Sequence, residues 1–383
     1  ARHLCEKLGV PLETASPRAK RRWIFLDGKL RGLPRNPLEV VRTDLLTWRG
    51  KLDLLREPLR PARPSGDESV YAFAARRFGA EAARAVVAPF VTGVFAADAH
   101  DVSLEAGFPR LAELDAGGGI ARGFAMQAAK TAFKKLAGGG KKPRPPSGLF
   151  APRGGLGEMI GALTAELGPR IHTGRAVAQL AAESRGVRVD GEPWDAAVLA
   201  VPAEDAISIV RPLPELASRL RAFHRAPTQI VYLGYPESAV PRAVDGFGFL
   251  VAKGEDLRVL GVVFESIVWP GRAPAGHVLL RCIFGGGRDP DTAALDDAAL
   301  IEHARRDLGM VLGATGSPTH ASVVRWTRGV AQYPVGHRDQ VRLAVTAART
   351  HRIALAGADY RGTGVNDLVA DADVVVEEIG SWA

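Results

Sequence analysis

Cysteine is nearly missing from this chain: two residues in 383, Cys5 and Cys282, far apart and in no metal-ligand spacing. That argues against a disulfide framework and fits a reducing compartment. No apolar run approaches the roughly 18 residues a membrane-spanning helix needs. The opening residues, Ala1-Arg-His-Leu-Cys5, resemble no signal peptide and do not begin with Met; they read as the middle of a domain, so an N-terminal truncation is expected. A dinucleotide-binding G-x-G-x-x-G after a buried strand is missing too. Gly117-Gly-Gly-Ile-Ala-Arg-Gly123 has the wrong spacing, and Gly138-Gly-Gly-Lys141 has no glycine where a phosphate loop needs one. Nor does any His–carboxylate or Cys–His constellation stand out as an acid–base pair; His224, His303, His337 and His351 read as surface or structural residues.

What is present describes a folded protein of more than one unit. The chain is 46% hydrophobic and long enough for two or three cores. Its formal charge of +8 points to an acidic partner: nucleic acid, an anionic membrane or a carboxylated ligand. The basic clusters are Lys20-Arg21-Arg22, Lys134-Lys135 and Lys141-Lys142-Pro-Arg144. They lack interleaved aromatics and form no zinc-finger or RNP-like pattern, so no nucleic-acid partner is expected. For most of these charges a solvated basic face suffices.

Residues 23 to 33 read as a hairpin turning through Asp27-Gly28. Leu38, Val41, Leu45, Trp48, Leu52 and Leu55 recur at helical steps, an amphipathic stripe that Pro58 terminates. Asp67 is placed to cap a second helix carrying Val70, Phe73, Ala74 and Phe78, with Gly79 as its stop; a third runs to about Pro89. Residues 120 to 136 repeat the helical pattern before the loop Gly138 to Gly148. A helix bearing Met159, Ile160, Leu163 and Leu167 follows, then β-rich stretches at 175–182 and 186–189. Ala197-Val-Leu-Ala-Val201 reads as a fully buried strand. Strands at 229–235, 247–252, 259–264 and 278–284 suggest an antiparallel sheet, with a helix at 294–312 and a short strand at 323–326.

The C-terminal stretch Ile353-Ala-Leu-Ala-Gly-Ala-Asp-Tyr-Arg-Gly-Thr-Gly-Val-Asn-Asp367 is a strand, a glycine turn and a helix start. The helix should bury Leu368, Val369, Ala372, Val375, Val376 and Ile379. Its N–H groups and dipole suit an electron-rich group above the turn. An ordinary terminal strand–turn–helix accounts for the same residues.

Taken in order, the landmarks resemble the oxygen-dependent protoporphyrinogen oxidases, within the flavin amine oxidase-like superfamily. They are Arg22-Trp-Ile-Phe-Leu-Asp-Gly-Lys-Leu-Arg-Gly-Leu-Pro34, Arg76-Arg-Phe-Gly79, Pro89-Phe-Val-Thr-Gly-Val-Phe95, and Leu104 with Phe108-Pro109. Gly154-Gly-Leu156, Gly246-Phe-Gly-Phe-Leu-Val251, Gly285-Gly-Gly-Arg-Asp-Pro290, Gln332-Tyr-Pro-Val-Gly-His337 and the 357–367 segment complete the series. The resemblance implies an α/β, α+β flavoprotein. Residues 1–22 would be a remnant, 23–147 a helical membrane-binding domain and 148–205 a segment of the FAD domain. A mixed-sheet substrate domain would follow over 206–335, with 336–383 closing the FAD domain. The family's opening βαβ unit, which grips the pyrophosphate, has no counterpart here, so residues 1–383 alone are expected to purify without flavin.

The resemblance also implies roles. Arg22 would pair with a substrate propionate; Gly93 would bring backbone against a pyrrole; Phe247, Gly248, Leu250 and Ile283 would line the substrate cavity. Val177, Trp326, Gly357, Val365 and Asn366 would contact FAD. The reaction implied is oxidation of protoporphyrinogen IX by O₂, giving hydrogen peroxide, on a monotopic protein at the cytoplasmic face of the cell membrane; the family pattern allows a homodimer. Competing readings are coproporphyrinogen III oxidation, another flavin amine oxidase or carotenoid desaturase, and an inactive porphyrin-binding fragment.

Overall fold

The computed structural model describes residues 1–61, 66–123, 126, 148–242 and 244–382. The helical pattern expected beyond residue 123, the 138–148 loop up to residue 147, and Lys134, Lys135, Lys141, Lys142 and Arg144 lie outside the described residues. The fold is mixed α/β and divides into two compact units. One comprises residues 1–14, 149–225 and 331–383, the other 15–148 and 226–330.

The second unit is built on a seven-stranded sheet: β1 (Trp23–Leu26), β2 (Lys29–Gly32), β3 (Arg225–Pro236), β4 (Gly248–Val251), β5 (Gly261–Phe264), β6 (His277–Gly285) and β7 (His320–Ala331). Their spatial order is β7-β3-β6-β5-β4-β1-β2. The β3–β6, β6–β5, β5–β4 and β1–β2 pairs are antiparallel, but β4 and β1 run parallel, Phe249 beside Trp23 and Leu250 beside Ile24. The antiparallel expectation therefore holds for the meander and fails where the hairpin joins it. The hairpin turns through Asp27 and Gly28, both at positive φ (51° and 69°), as expected for a two-residue turn. The strand expected at 323–326 runs the full length of β7.

Alternation along the strands sorts two faces. Val231, Leu233 and Tyr235, Phe249 and Val251, Val262 and Phe264, and Leu280, Cys282 and Phe284 are buried in one core with Leu300, Ala304, Leu308 and Val311 of helix Asp297–Leu312. On the other face Ile24 and Leu26 pack against Leu45, Leu46, Ala82 and Ala85 of the helical region.

That region departs from the sequence pattern in instructive places. The stripe from Leu38 to Leu55 is two helices, Pro37–Arg42 and Trp48–Leu55. The chain leaves the helix between them so that Leu45 and Leu46 reach the core, and Thr47 caps the second helix by accepting from the Gly50 N–H. The remaining stripe residues face outward: Leu38 is 73% exposed, Trp48 70% and Leu55 74%. Helix Val70–Phe78 is capped by Ser69, which accepts from Ala72 N–H, not by Asp67, which instead accepts from the Ser103 hydroxyl at 2.6 Å. The next helix passes Pro89 and continues to Phe95. A widened π turn over Ala83–Val87 precedes the proline, whose ring nitrogen has no hydrogen to donate.

A buried ion network fastens these helices. Arg77 has no exposed surface; it contacts the Asp115 carboxylate through Nε and lies 3.7 Å from Glu57. Its Nη1 also donates to the Arg60 carbonyl at 2.8 Å. Asp115 accepts from Arg76 at 2.6 Å as well, and Glu57 caps a helical turn by accepting from Ile120 N–H (2.9 Å) and Ala121 N–H (3.1 Å).

In the first unit, strands Ala197–Leu199 and Ile353–Leu355 pair in parallel, and an antiparallel meander runs over Leu180–Glu183, Gly186–Val189 and Glu192–Trp194. Residues 175–179, expected as β, are irregular. The strand expected to be fully buried at 197–201 is not: Val198 and Val201 are exposed, because helices Ala203–Ile209, Pro214–Leu220 and His337–Arg349 cover only one side of it. Helix Val365–Gly380 buries Asp371, Val375 and Glu378 in place of the apolar face expected. Arg361 reaches Asp371 at 2.6 Å and Arg349 reaches Glu378 at 2.7 Å, so paired carboxylates turn inward while Val376 stays in solvent.

Asp115→Ala leaves the Arg77 guanidinium buried against Glu57 alone. A loss of about 3–5 kcal/mol is expected in chemical denaturation. The double variant Arg77→Met/Asp115→Leu should lose less than Asp115→Ala, since it removes the charge along with its partner.

Candidate functional site

In the sheet unit, five of the six expected substrate residues meet on one face, and the sixth closes it from above. Leu250 of β4 and Ile283 of β6 flank Gly261 of β5 in register, so a residue with no side chain separates two apolar ones. Gly248 has φ 148°, and a Cβ there would lie 2.0 Å from the Val262 carbonyl oxygen. Only glycine fits, and the backbone it adopts carries Phe247 over to Val263, Val268 and Ile283. The Arg22 guanidinium lies 5.3 Å from the centre of the Phe247 ring. Gly93, in helix Ala88–Phe95, meets this face directly: a Cβ at Gly93 would lie 2.5 Å from Leu250 Cδ2.

Beside that contact is a cavity of about 200 Å³, lined by Ile24, Leu33, Val87, Phe90, Val91, Phe108 and Leu250, with Arg22 at its edge. Arg22 is the one charged residue in its wall. An apolar chamber with a single guanidinium suits an apolar ring system bearing a carboxylate, which the planar fork grips with two hydrogen bonds. At this volume the chamber is smaller than most ligand sites, which run to about 300–1,000 Å³. Leu250, lying against Gly93, is the movable part of its floor.

In the other unit the glycine turn is tied down by polar groups. Gly357 (φ 122°) donates its N–H to Asp371 at 3.2 Å, and nothing lies within 4 Å of where its Cβ would be. The open space above Gly357 is what a planar group at the turn requires. Arg361 holds the same Asp371 and donates to the Leu355 carbonyl at 2.9 Å. The Tyr333 hydroxyl donates to Ala358 O (2.6 Å) and accepts from Gly362 N–H (2.8 Å). Burial pushes this phenol above its ordinary pKa, so it keeps its proton. Asp359 turns away from the glycines, accepting a bidentate pair from Arg225 (2.8 and 3.0 Å) and the Ala203 N–H at 2.9 Å.

Of the residues expected at a flavin, Gly357 sits in this turn, while Val365 and Asn366 begin the helix after it. The Val365 side chain packs into a core with Cys5, Val10 and Met159. Val177 lies in the irregular segment before the meander, and Trp326 belongs to the other unit, on β7, 57% exposed. The turn fits the ring end of a flavin. Among the described residues no glycine turn of dinucleotide-binding spacing accompanies it. Tyr333, Arg361 and Asp371 were not singled out from sequence; an arginine inside a glycine turn with an acid one helical face on was their only signal.

The family model for flavin containing amine oxidoreductase matches residues 1–379, and the chain belongs to that family. Within this class of oxidoreductases it is matched in sequence and structure to the protoporphyrinogen and coproporphyrinogen oxidases. It is 29% identical over 389 residues to the chloroplastic protoporphyrinogen oxidase of Nicotiana tabacum, covering 94% of this chain and 70% of that one. Coproporphyrinogen III oxidase of Propionibacterium freudenreichii is 31% identical over 420 residues, covering 98% and 78%. The chain spans 65% of the length of the rice and spinach relatives. A structure from Exiguobacterium sp. 255-15, provisionally described as a protoporphyrinogen oxidase, shares the fold with a TM-score of 0.80 at 21% identity, covering 100% of this chain and 85% of that one.

The Gly93–Leu250 contact is testable by a double-mutant cycle. Gly93→Ala forces Leu250 aside and should cost about 1–3 kcal/mol of stability. Combined with Leu250→Ala, most of that cost should vanish, a coupling of about 1 kcal/mol or more. Simple additivity would show that the two residues do not touch.

Proposed function

We propose that the protein oxidises a porphyrinogen, taking protoporphyrinogen IX to protoporphyrin IX with O₂ as acceptor and hydrogen peroxide as by-product. The observation that carries this reading is the apolar chamber with Arg22 at its edge, in a chain of this family. A porphyrinogen is an apolar macrocycle with propionate arms. The chamber excludes water from the ring, and the guanidinium fixes an arm. Leu250 swings off Gly93 as the ring enters, so backbone at Gly93 lies against a pyrrole, with Phe247, Gly248 and Ile283 completing the floor.

FAD, when bound, supplies the electron acceptor for the three successive two-electron oxidations that the ring requires. Gly357 and the helix start at Val365 and Asn366 would lie at its ring end, with Val177 along the adenine and Trp326 near the ring system. Ring oxidation by hydride transfer asks no acid–base residue of the protein beyond orientation, which agrees with the scarcity of such pairs in the chain. The same ring chemistry applies to coproporphyrinogen III, and Arg22 alone fits either substrate.

The outward apolar residues of the helical region support a second part of the reading, monotopic attachment to an anionic membrane from the cytoplasmic side. Val41, Trp48, Leu52 and Leu55 line one groove with Lys51, whose ammonium lies over the Trp48 ring at 4.7 Å and donates to the Val41 carbonyl. Apolar side chains with a cation beside them suit the headgroup boundary. No helix among the described residues is long and apolar enough to cross a membrane.

Arg22→Ala should weaken substrate binding by about 1.5–3 kcal/mol, chiefly in KM, and Arg22→Lys should recover only part. Steady-state porphyrin fluorescence measures both; an unchanged kcat/KM would place Arg22 outside the site. For the membrane, Leu52→Asp/Leu55→Asp should lower co-sedimentation with phosphatidylglycerol-containing vesicles by about tenfold or more, and added salt should weaken the unaltered protein's binding.

A further inference from the structure

One row of the sheet carries a second cation toward the substrate face. Gly248 pairs with Val263, Val263 with Arg281, and Arg281 with Tyr232. Directly paired residues share a face, and Arg281 is two residues from Ile283, so it stands on the side that bears Leu250, Gly261 and Ile283. Extending the β1–β4 register by one residue sets Arg22 beside Gly248. Arg22 and Arg281 therefore end one row, three strand spacings or about 14 Å apart, with Gly248 and Val263 as the floor between them.

Arg281 is not free to solvent. Its side chain is 33% exposed, and its Nε lies 3.2 Å from an oxygen of Glu265, itself 13% exposed, without forming an aligned hydrogen bond. No other partner of this guanidinium occurs among the described residues. Glu265 thus takes the Nε side by charge alone and leaves the two-pronged Nη edge for another carboxylate.

We propose that Arg281, poised by Glu265, reads a carboxylate on the edge of the macrocycle opposite the arm held by Arg22. This rests on the porphyrinogen reading and specifies its substrate: a tetrapyrrole with carboxylate arms on opposite edges, as coproporphyrinogen III has and protoporphyrinogen IX, with two propionates on adjacent pyrroles, does not. Glu265 is a positioning residue; it holds the guanidinium over the row and keeps it from pairing elsewhere when the site is empty.

The test is fluorescence titration of the full chain with coproporphyrin III and with protoporphyrin IX, alongside thermal melting. Arg281→Met should reduce the ratio of coproporphyrin to protoporphyrin affinity by about tenfold or more, as loss of a charged hydrogen bond does; Arg281→Lys should restore part of it. Glu265→Gln should raise that ratio by removing the competing carboxylate, whereas Arg22→Ala should lower both affinities. A purely structural pair predicts otherwise: lower melting temperatures for Arg281→Met and Glu265→Gln with an unchanged ratio, and that result would overturn the proposal. Oxidation of the two porphyrinogens is followed separately. A shifted binding ratio without oxidation sinks the assigned reaction and leaves the role of Arg281 standing; oxidation with an unshifted ratio does the reverse.

Discussion

Everything at the candidate substrate site depends on one pairing, the parallel contact of β1 with β4. It joins residues more than two hundred positions apart and sets Ile24 beside Leu250 and Phe25 beside Val251. The indole of Trp23 locks it by donating to the Asp245 carbonyl at 2.7 Å, and the Glu255 carboxylate accepts from the N–H groups of Asp27 and Gly28 at the hairpin tip. Because side chains alternate, a slip of one residue would turn Arg22 and Ile24 to the opposite side and empty the cavity wall. A helix-packed core on one face and the helical region on the other make such a slip costly. The register is therefore overdetermined, and the geometry of the chamber follows from it.

Buried carboxylates do for the loops what that pairing does for the sheet. Glu57, Asp307, Asp359 and Asp371 each accept from backbone N–H groups. Burial pushes the Asp307 acid above its ordinary range even though the Arg258 and Val259 N–H groups favour its ionised form. Asp359 and Asp371 also hold arginines, so the two sides of the glycine turn are pinned by different ion pairs. A turn that must leave open space above Gly357 gains its rigidity from below.

The period-two strands, the Asp27-Gly28 hairpin and the long helix before Gly313 were legible in sequence, because each is decided by local periodicity and turn chemistry. The β1–β4 pairing was not, since no local pattern records which distant strand lies alongside. The last helix was misread for a related reason. Its buried face carries Asp371 and Glu378, and only their arginine partners, 10 and 29 residues away in the chain, make that burial tolerable. The gathering of Arg22, Phe247, Gly248, Leu250 and Ile283 was anticipated by resemblance, whereas the gap left by Gly261 and the place of Arg281 emerged from the register.

The widened turn at Ala83–Val87 sets the angular phase of everything after it. An α-helix advances about 100° per residue, and a π turn absorbs one residue more than an α turn does. Deleting a single residue there would let the helix close up into regular α geometry, with its caps intact and its apolar composition hardly altered. Gly93 would then come round by about a quarter of a circle, presenting a neighbour with a Cβ to Leu250. Among related sequences, an insertion or deletion of one residue at this spot thus carries more meaning for the chamber than most substitutions, and an alignment that slides a gap through it will pair the wrong residue with Gly93.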